Sequence, residues 1–353
     1  MNVLYQLPNI AKKELKKLDN CSSLSQLSGF SLERVDLSEW RFKNPNICYS
    51  HSVDKPVGKP VGFTLKVTFV AMKWNDKKNI RIAILDLYEG APNQGMRCLR
   101  ELLNQFGESN DLNLEWDEFE VRLENKVPDM SYDIFISSGG PGSPLDSVNS
   151  AWETAYFKWL SDVESYNSNE ANPQKKHVFF ICHSFQLVCR HWNIANVCKR
   201  KSTAFGIFPV HLMEAGMEEP IFEGMPDPFY AVDSRDWQVI EPNQVVLDQM
   251  GGQILCREKE RSHVPLERAI MSIRFNDYFF GTQFHPEADA MGMSMYLQTD
   301  AKKQTVVENY GLEKWQAMIT HLNDPDKILW TYSHILPNFL NNAVNSLQAL
   351  QAT

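Results

Sequence analysis

The sequence predicts an α/β protein built on a doubly wound, mostly parallel sheet with helices on both faces. Three observations predict it. Short β-branched, apolar runs suited to buried strands recur through the middle of the chain, most are followed by a stretch with helical spacing, and the links between them are short. At 353 residues the chain can form one large α/β unit with additions, or two domains.

Residues 80–88 (IRIAILDLY) are apolar enough for a strand buried on both faces, and 93–106 follow as a helix with Met96, Leu99, Leu102, Leu103 and Phe106 on one side. Residues 118–123 and 133–137 read as the next strands, the second running into the glycine-rich stretch 138–142. A helix is expected over 151–163. After a polar loop, 177–181 (HVFFI) is another buried strand, passing directly into a helix over 183–192. Further strands are expected at 204–212, 253–257, 269–275 and 278–284, the last two joined by a tight turn at Asn276-Asp277. From about 290 onward the chain reads as helical. Trp315, Met318, Ile319 and Leu322 fall on one helical face, and Leu336, Phe339, Leu340 and Val344 on another; such stripes pack on a core or pair two copies in a homodimer. The organisation is therefore an accessory N-terminal region over 1–78, with one short β-like run at 63–72, a central domain over 79–290 and a helical extension over 291–353.

With 43% hydrophobic and 22% charged residues the chain has the composition of a globular protein. No run approaches the roughly 18 apolar residues of a membrane span and no secretory signal opens the sequence, so a cytoplasmic protein without membrane contact is expected. The net charge of −9 argues against non-specific nucleic-acid binding. Residues 1–75 nonetheless carry 11 Lys/Arg against 6 Asp/Glu, with Lys12, Lys13, Lys16 and Lys17 together on what reads as a solvated face. The seven cysteines form no C-x-x-C pair and no Cys/His cluster of zinc-binding spacing, so neither a metal nor any other cofactor is expected.

Three loops lie where an open α/β sheet binds ligands, beyond the C-terminal ends of its strands. In the first, Cys182 sits between a buried strand and the start of a helix, where a sharp turn exposes the sulfur and the helix amides favour a thiolate; a buried structural cysteine is the other reading. In the second, His285 follows a strand and could serve a thiol as base, with Glu287 fixing its tautomer, or could be a hydrogen-bonded structural residue. The third is Gly139-Gly140-Pro141-Gly142, whose amides suit an oxyanion hole, a tight turn or a phosphate cradle.

Taken together, the three loops resemble the class I glutamine amidotransferase family, over roughly residues 79–290. Ser138-Gly139-Gly140-Pro141-Gly142-Ser143 is similar to the family's oxyanion loop, Ile181-Cys182 with Gln186 four residues on to its nucleophile elbow, and His285-Pro286-Glu287 to its base and orienting acid. The resemblance implies a flavodoxin-like fold and a Cys182-His285-Glu287 triad that opens the side-chain amide of glutamine through a thioester. It further implies an oxyanion hole from the amides of Gly140 and His183, with Gly139 and Gln186 near the substrate. The family's elbow usually reads G-x-C-x-G, whereas Phe180 and Ser184 stand here in place of the glycines. The side chain of His183 is read as a surface group, with a second base as the other reading.

Residues 230–236 fall where relatives often carry a loop near the substrate, and Arg235 there could pair with a substrate carboxylate. That Ser234-Arg235 pair also resembles a loop of homoserine O-acyltransferases, so cysteine-borne acyl transfer stands as an alternative. γ-Glutamyl hydrolysis and a non-catalytic binding descendant are the others. No phosphate loop of G-x-x-x-x-G-K-[ST] form is present, so released ammonia would be accepted by a separate synthase partner.

Overall fold

The computed structural model describes residues 79–349 other than 92, 325 and 326. The accessory region over 1–78, including the 63–72 run and the lysine group, lies outside the described residues.

Among the described residues nine strands form one sheet: β1 (Asn79–Asp86), β2 (Asn113–Glu120), β3 (Ile134–Ser137), β4 (His177–Ile181), β5 (Ala195–Leu212), β6 (Phe229–Pro242), β7 (Gln253–Glu258), β8 (Ile270–Arg274) and β9 (Phe279–Thr282). Their spatial order is β2-β1-β3-β4-β9-β8-β7-β5-β6. The first five run parallel to one another, and from β9 onward each strand is antiparallel to its neighbour. The expected flavodoxin-like, mostly parallel architecture is therefore present, extended at one side by an antiparallel sheet.

Alternation along the strands divides the apolar residues between two faces. Ile80, Ile82 and Ile84 face one core, shared with Met96, Leu99, Leu102, Leu103 and Phe106 of α1 (Gly95–Ser109). Ala83 and Leu85 face the other, shared with Tyr156, Trp159 and Leu160 of α2 (Ala151–Ser168) and Phe185, Leu187 and Val188 of α3 (His183–His191). Ser150 caps α2 by accepting the amide of Glu153. The turn after α3 leads into β5, and α4 (Gln244–Met250) is capped by Asn243.

The C-terminal helices are α5 (Ala290–Leu297), α6 (Asp300–Tyr310), α7 (Leu312–Leu322) and α8 (Ile328–Ala349). Both expected stripes are used. Leu336, Phe339, Leu340 and Val344 of α8 join the same core as α1, and Met318 and Leu322 of α7 join a smaller cluster with Ile207 and Val232 of the β5–β6 pair.

Two sequence expectations require correction. Residues 230–236 are not a loop: they lie within β6, a 14-residue strand paired with the 18-residue β5. Its repeated charged residues, Asp233, Arg235 and Asp236, masked a strand whose buried polar groups satisfy one another. The second strand also begins earlier than expected, at Asn113, because it is an edge strand whose alternating Leu114 and Trp116 are separated by acidic residues.

Candidate active site

Cys182 closes β4 and immediately precedes α3. Its backbone has φ 48° and ψ −94°, a conformation that costs a non-glycine residue on the order of 1–3 kcal/mol and recurs where a side chain must be held out of a turn. The turn is fixed from both sides: the Cys182 amide donates to Thr282 O at 2.7 Å, and the Gln186 amide to Cys182 O at 3.1 Å. His183 is the first residue of α3, so its backbone N–H has no acceptor within the helix.

Ser184 is no nucleophile. Its buried hydroxyl accepts the Ile181 amide at 2.8 Å and lies 2.8 Å from Ser137 O and 3.0 Å from Ile181 O, tying α3 to β3 and β4. Phe180 points into the opposite core, where it meets Trp192, Phe275 and Phe279, and so leaves the thiol's surroundings free. The glycine missing from the elbow has a counterpart on the adjacent strand. Gly281 pairs with Phe180, and a Cβ there would lie 2.7 Å from Phe185 Cδ2, 3.0 Å from Phe275 Cε2 and 3.4 Å from Phe180 Cβ. Gly281→Ala is expected to destabilise the fold by about 1–3 kcal/mol through overpacking, measurable by urea unfolding.

His285 is anchored to the antiparallel part of the sheet by its amide, which donates to Val232 O of β6 at 2.9 Å. Its Nδ1 is 2.8 Å from Glu287 Oε1, and Glu287 is only 1% exposed. On its other side the imidazole interacts with Cys182. Burial alone would lower the imidazole pKa, but Glu287 and then Cys182 outweigh burial and hold it well above its ordinary value.

The glycine loop meets this pair directly. A Cβ on Gly139 would lie 2.8 Å from His285 Cε1, and one on Gly140 only 2.3 Å from Leu87 O. Both positions need glycine for close approach. The loop is held by the Ser138 amide on Leu85 O, by Ser138 Oγ accepting the Leu87 amide, and by Arg122, whose Nη1 donates to Pro141 O at 2.7 Å and to Leu87 O at 3.2 Å. Thus Cys182, His285, Glu287, Gly139, Gly140 and the His183 amide converge at one end of the parallel strands.

Other assignments change. The His183 side chain is not a surface group: it is 2% exposed, and burial, with Arg122 adding to it, pushes its pKa down to about 3. It is a neutral interior side chain. Arg235 is not free for a substrate carboxylate. Its guanidinium is buried and donates to Asp233 Oδ1 at 2.9 Å, to Trp237 O at 3.1 Å and to Glu258 Oε2 at 3.3 Å. Gln186 is also enclosed, with its carboxamide nitrogen 3.1 Å from Gln283 Oε1 and 3.4 Å from Trp237 O.

Residues overlooked in the sequence are Gln283, whose Nε2 lies 3.7 Å from Cys182 Sγ, and Tyr88, whose hydroxyl would be 3.1 Å from a Cβ on Gly139. Gln283 stands in the segment that carries His285, and alternation placed it inward. Nothing in the sequence around Tyr88 marked it. Among the described cysteines, burial pushes the thiol of Cys98 up to about 12 and those of Cys189 and Cys256 well above their ordinary value, which keeps these three protonated and unreactive. Among the described residues, no group of His, Cys, Asp and Glu is arranged to hold a metal ion, and no helix is long and apolar enough to cross a membrane.

A strained cysteine at a strand–helix turn, a carboxylate-held histidine and a glycine loop thus meet on one α/β sheet. Residues 95–300 match the family described as glutamine amidotransferase class-I, and the chain belongs to that family. Among solved structures, it is similar to a glutamine amidotransferase from Thermotoga maritima, with a TM-score of 0.54 and 13% identity over 75% of this chain and 98% of that one. It is also similar to the protein SMU.1228c, with a TM-score of 0.50 and 16% identity over 75% of this chain and all of that one. At these identities the likeness is one of fold. No curated protein matches the chain.

Proposed function

We propose that this chain hydrolyses the side-chain amide of glutamine through a Cys182 thioester and releases ammonia to a separate synthase polypeptide. The observation that carries the reading is the packing of Gly139 against the ring of His285, which brings the loop, the base and the thiol to one point. Cys182 sulfur attacks the amide carbon, and the oxygen takes the electron pair and is met by the Gly140 and His183 amides. The intermediate collapses as protonated His285 gives its proton to the departing nitrogen, so ammonia leaves and a γ-glutamyl thioester remains. His285 then takes a proton from water, hydroxide adds to the thioester, and the C–S bond breaks to give glutamate and the free thiol. Glu287 holds the imidazole tautomer and stabilises the imidazolium.

Acyl transfer onto an amino-acid hydroxyl has less support, since the guanidinium of Arg235 is committed to Asp233 and Glu258. The test is to incubate the purified protein with glutamine, asparagine, γ-glutamyl compounds and acyl-CoAs, and to measure ammonia and thiol release. Ammonia from glutamine alone is expected. Thiol release from acyl-CoA without ammonia from glutamine would overturn the reading.

A further inference from the structure

Besides the titratable groups that face it, the His285 imidazole backed by Glu287 and the Tyr88 phenol, Cys182 Sγ meets two neutral groups of opposite hydrogen-bonding character. Ser234 O lies 3.9 Å away and can only accept. Gln283 Nε2 lies 3.7 Å away and can only donate, so it is the neutral donor to the sulfur's lone pairs. The orientation of the Gln283 carboxamide therefore matters, and it is fixed from behind. Gln186 Nε2 has two hydrogens; one is directed at Gln283 Oε1 at 3.1 Å and the other at Trp237 O at 3.4 Å. A backbone carbonyl cannot donate, so the Gln186 nitrogen must face Trp237, the Gln283 oxygen must face Gln186, and the Gln283 nitrogen is turned toward the sulfur. Gln283 is fully buried and Gln186 2% exposed, so water does not compete for these bonds.

We infer that Gln283 is the fixed neutral donor to the reacting sulfur and that Gln186 is a positioning residue acting through it, rather than a donor to substrate. Both hydrogens of the Gln186 nitrogen are already engaged, which leaves none for a substrate group. The chain Trp237 O, Gln186, Gln283, Cys182 links β6, α3 and the segment after β9, so the donor is held by three separate elements. The inference rests on the reading of Cys182 as the reacting thiol. It is independent of which amide that thiol opens.

The test is the pH dependence of iodoacetamide alkylation in the full chain, scored on the Cys182 peptide by mass spectrometry so that other thiols do not contribute. Methionine replaces either glutamine at similar volume without a donor. Gln283→Met should move the alkylation profile to higher pH and lower the rate at pH 7 by about tenfold, the loss expected for one hydrogen bond to a charged group. Gln186→Met should move it in the same direction by less, and the double variant should match Gln283→Met, because Gln186 acts only through Gln283. Superimposable profiles, or a double-variant shift equal to the sum of the single shifts, would overturn the relay. If Gln283→Met does not fold, Gln186→Met alone decides, since an unchanged profile there refutes the inference. Ammonia release from glutamine by the wild-type chain is measured alongside. Its absence would count against the proposed reaction, while the alkylation profiles would still report on the relay.

Discussion

Cys182→Ala and His285→Ala should each reduce glutamine hydrolysis by roughly 10⁴- to 10⁶-fold, and the double variant should be scarcely worse than either single one, because a nucleophile and its base act as a unit. A glutamine-analogue electrophile should add once, and Cys182→Ser should prevent it. Equal labelling at Cys189 or Cys198 would refute the assignment. Glu287→Gln should keep measurable activity while losing about 10²-fold or more. The pH dependence follows from the environment of His285. Glu287 and Cys182 hold its folded pKa above the ordinary value near 6.5, so it stays protonated where a free imidazole would be neutral. A raised folded pKa means that the favourable interaction is fully present below the unfolded value and is lost as pH rises through the folded one. In Glu287→Gln the main opposing charge is gone and burial prevails, so His285 should titrate at lower pH. Denaturant midpoints between pH 6 and 9 should then depend less on pH than in wild type. Identical pH profiles for the two proteins would show that Glu287 does not set the protonation of His285.

What the sequence revealed follows from how local each signal is. The inner parallel strands β1, β3 and β4 were legible because each is a largely apolar run, and where the helix follows at once the agreement is close: 177–181 and 183–192 match β4 and α3. The loops of the candidate site were legible because a strand end and the turn that follows it are contiguous in sequence. β6 was hidden because its inward positions are charged. Asp233 and Arg235 are buried only because Glu258, from β7, completes their pairing, and such a partner 23 residues away is invisible to periodicity. His183 was misjudged on the same principle. A histidine at the start of a helix has no intrinsic reason to be interior, and the tertiary neighbours that enclose it here, Arg122 among those near it, come from elsewhere in the chain. The compensation of Phe180 by Gly281 likewise crosses from β4 to β9, two strands about a hundred residues apart that become neighbours only when the sheet forms.

Gly140→Ala should lower kcat for glutamine by about 10²- to 10³-fold. The added methyl would meet the backbone carbonyl of Leu87 at 2.3 Å, and a carbonyl within a strand-end turn cannot swing aside as a side chain can. Leu87 is fully buried, its amide is tied to Ser138 Oγ and its carbonyl accepts from Arg122, so the glycine loop must move instead. That movement carries the Gly140 amide away from the point where the tetrahedral oxyanion forms. Removing one such donor costs about 2.7–4 kcal/mol of transition-state stabilisation, which corresponds to the stated loss. The thiol itself is untouched, because Cys182 is held by β4, Thr282 and Gln186 and not by the loop. Iodoacetamide should therefore alkylate Cys182 in Gly140→Ala at close to the wild-type rate while turnover falls. A parallel fall in both rates would mean that the substitution disorders the elbow as well, and retained turnover would remove the Gly140 amide from the oxyanion hole.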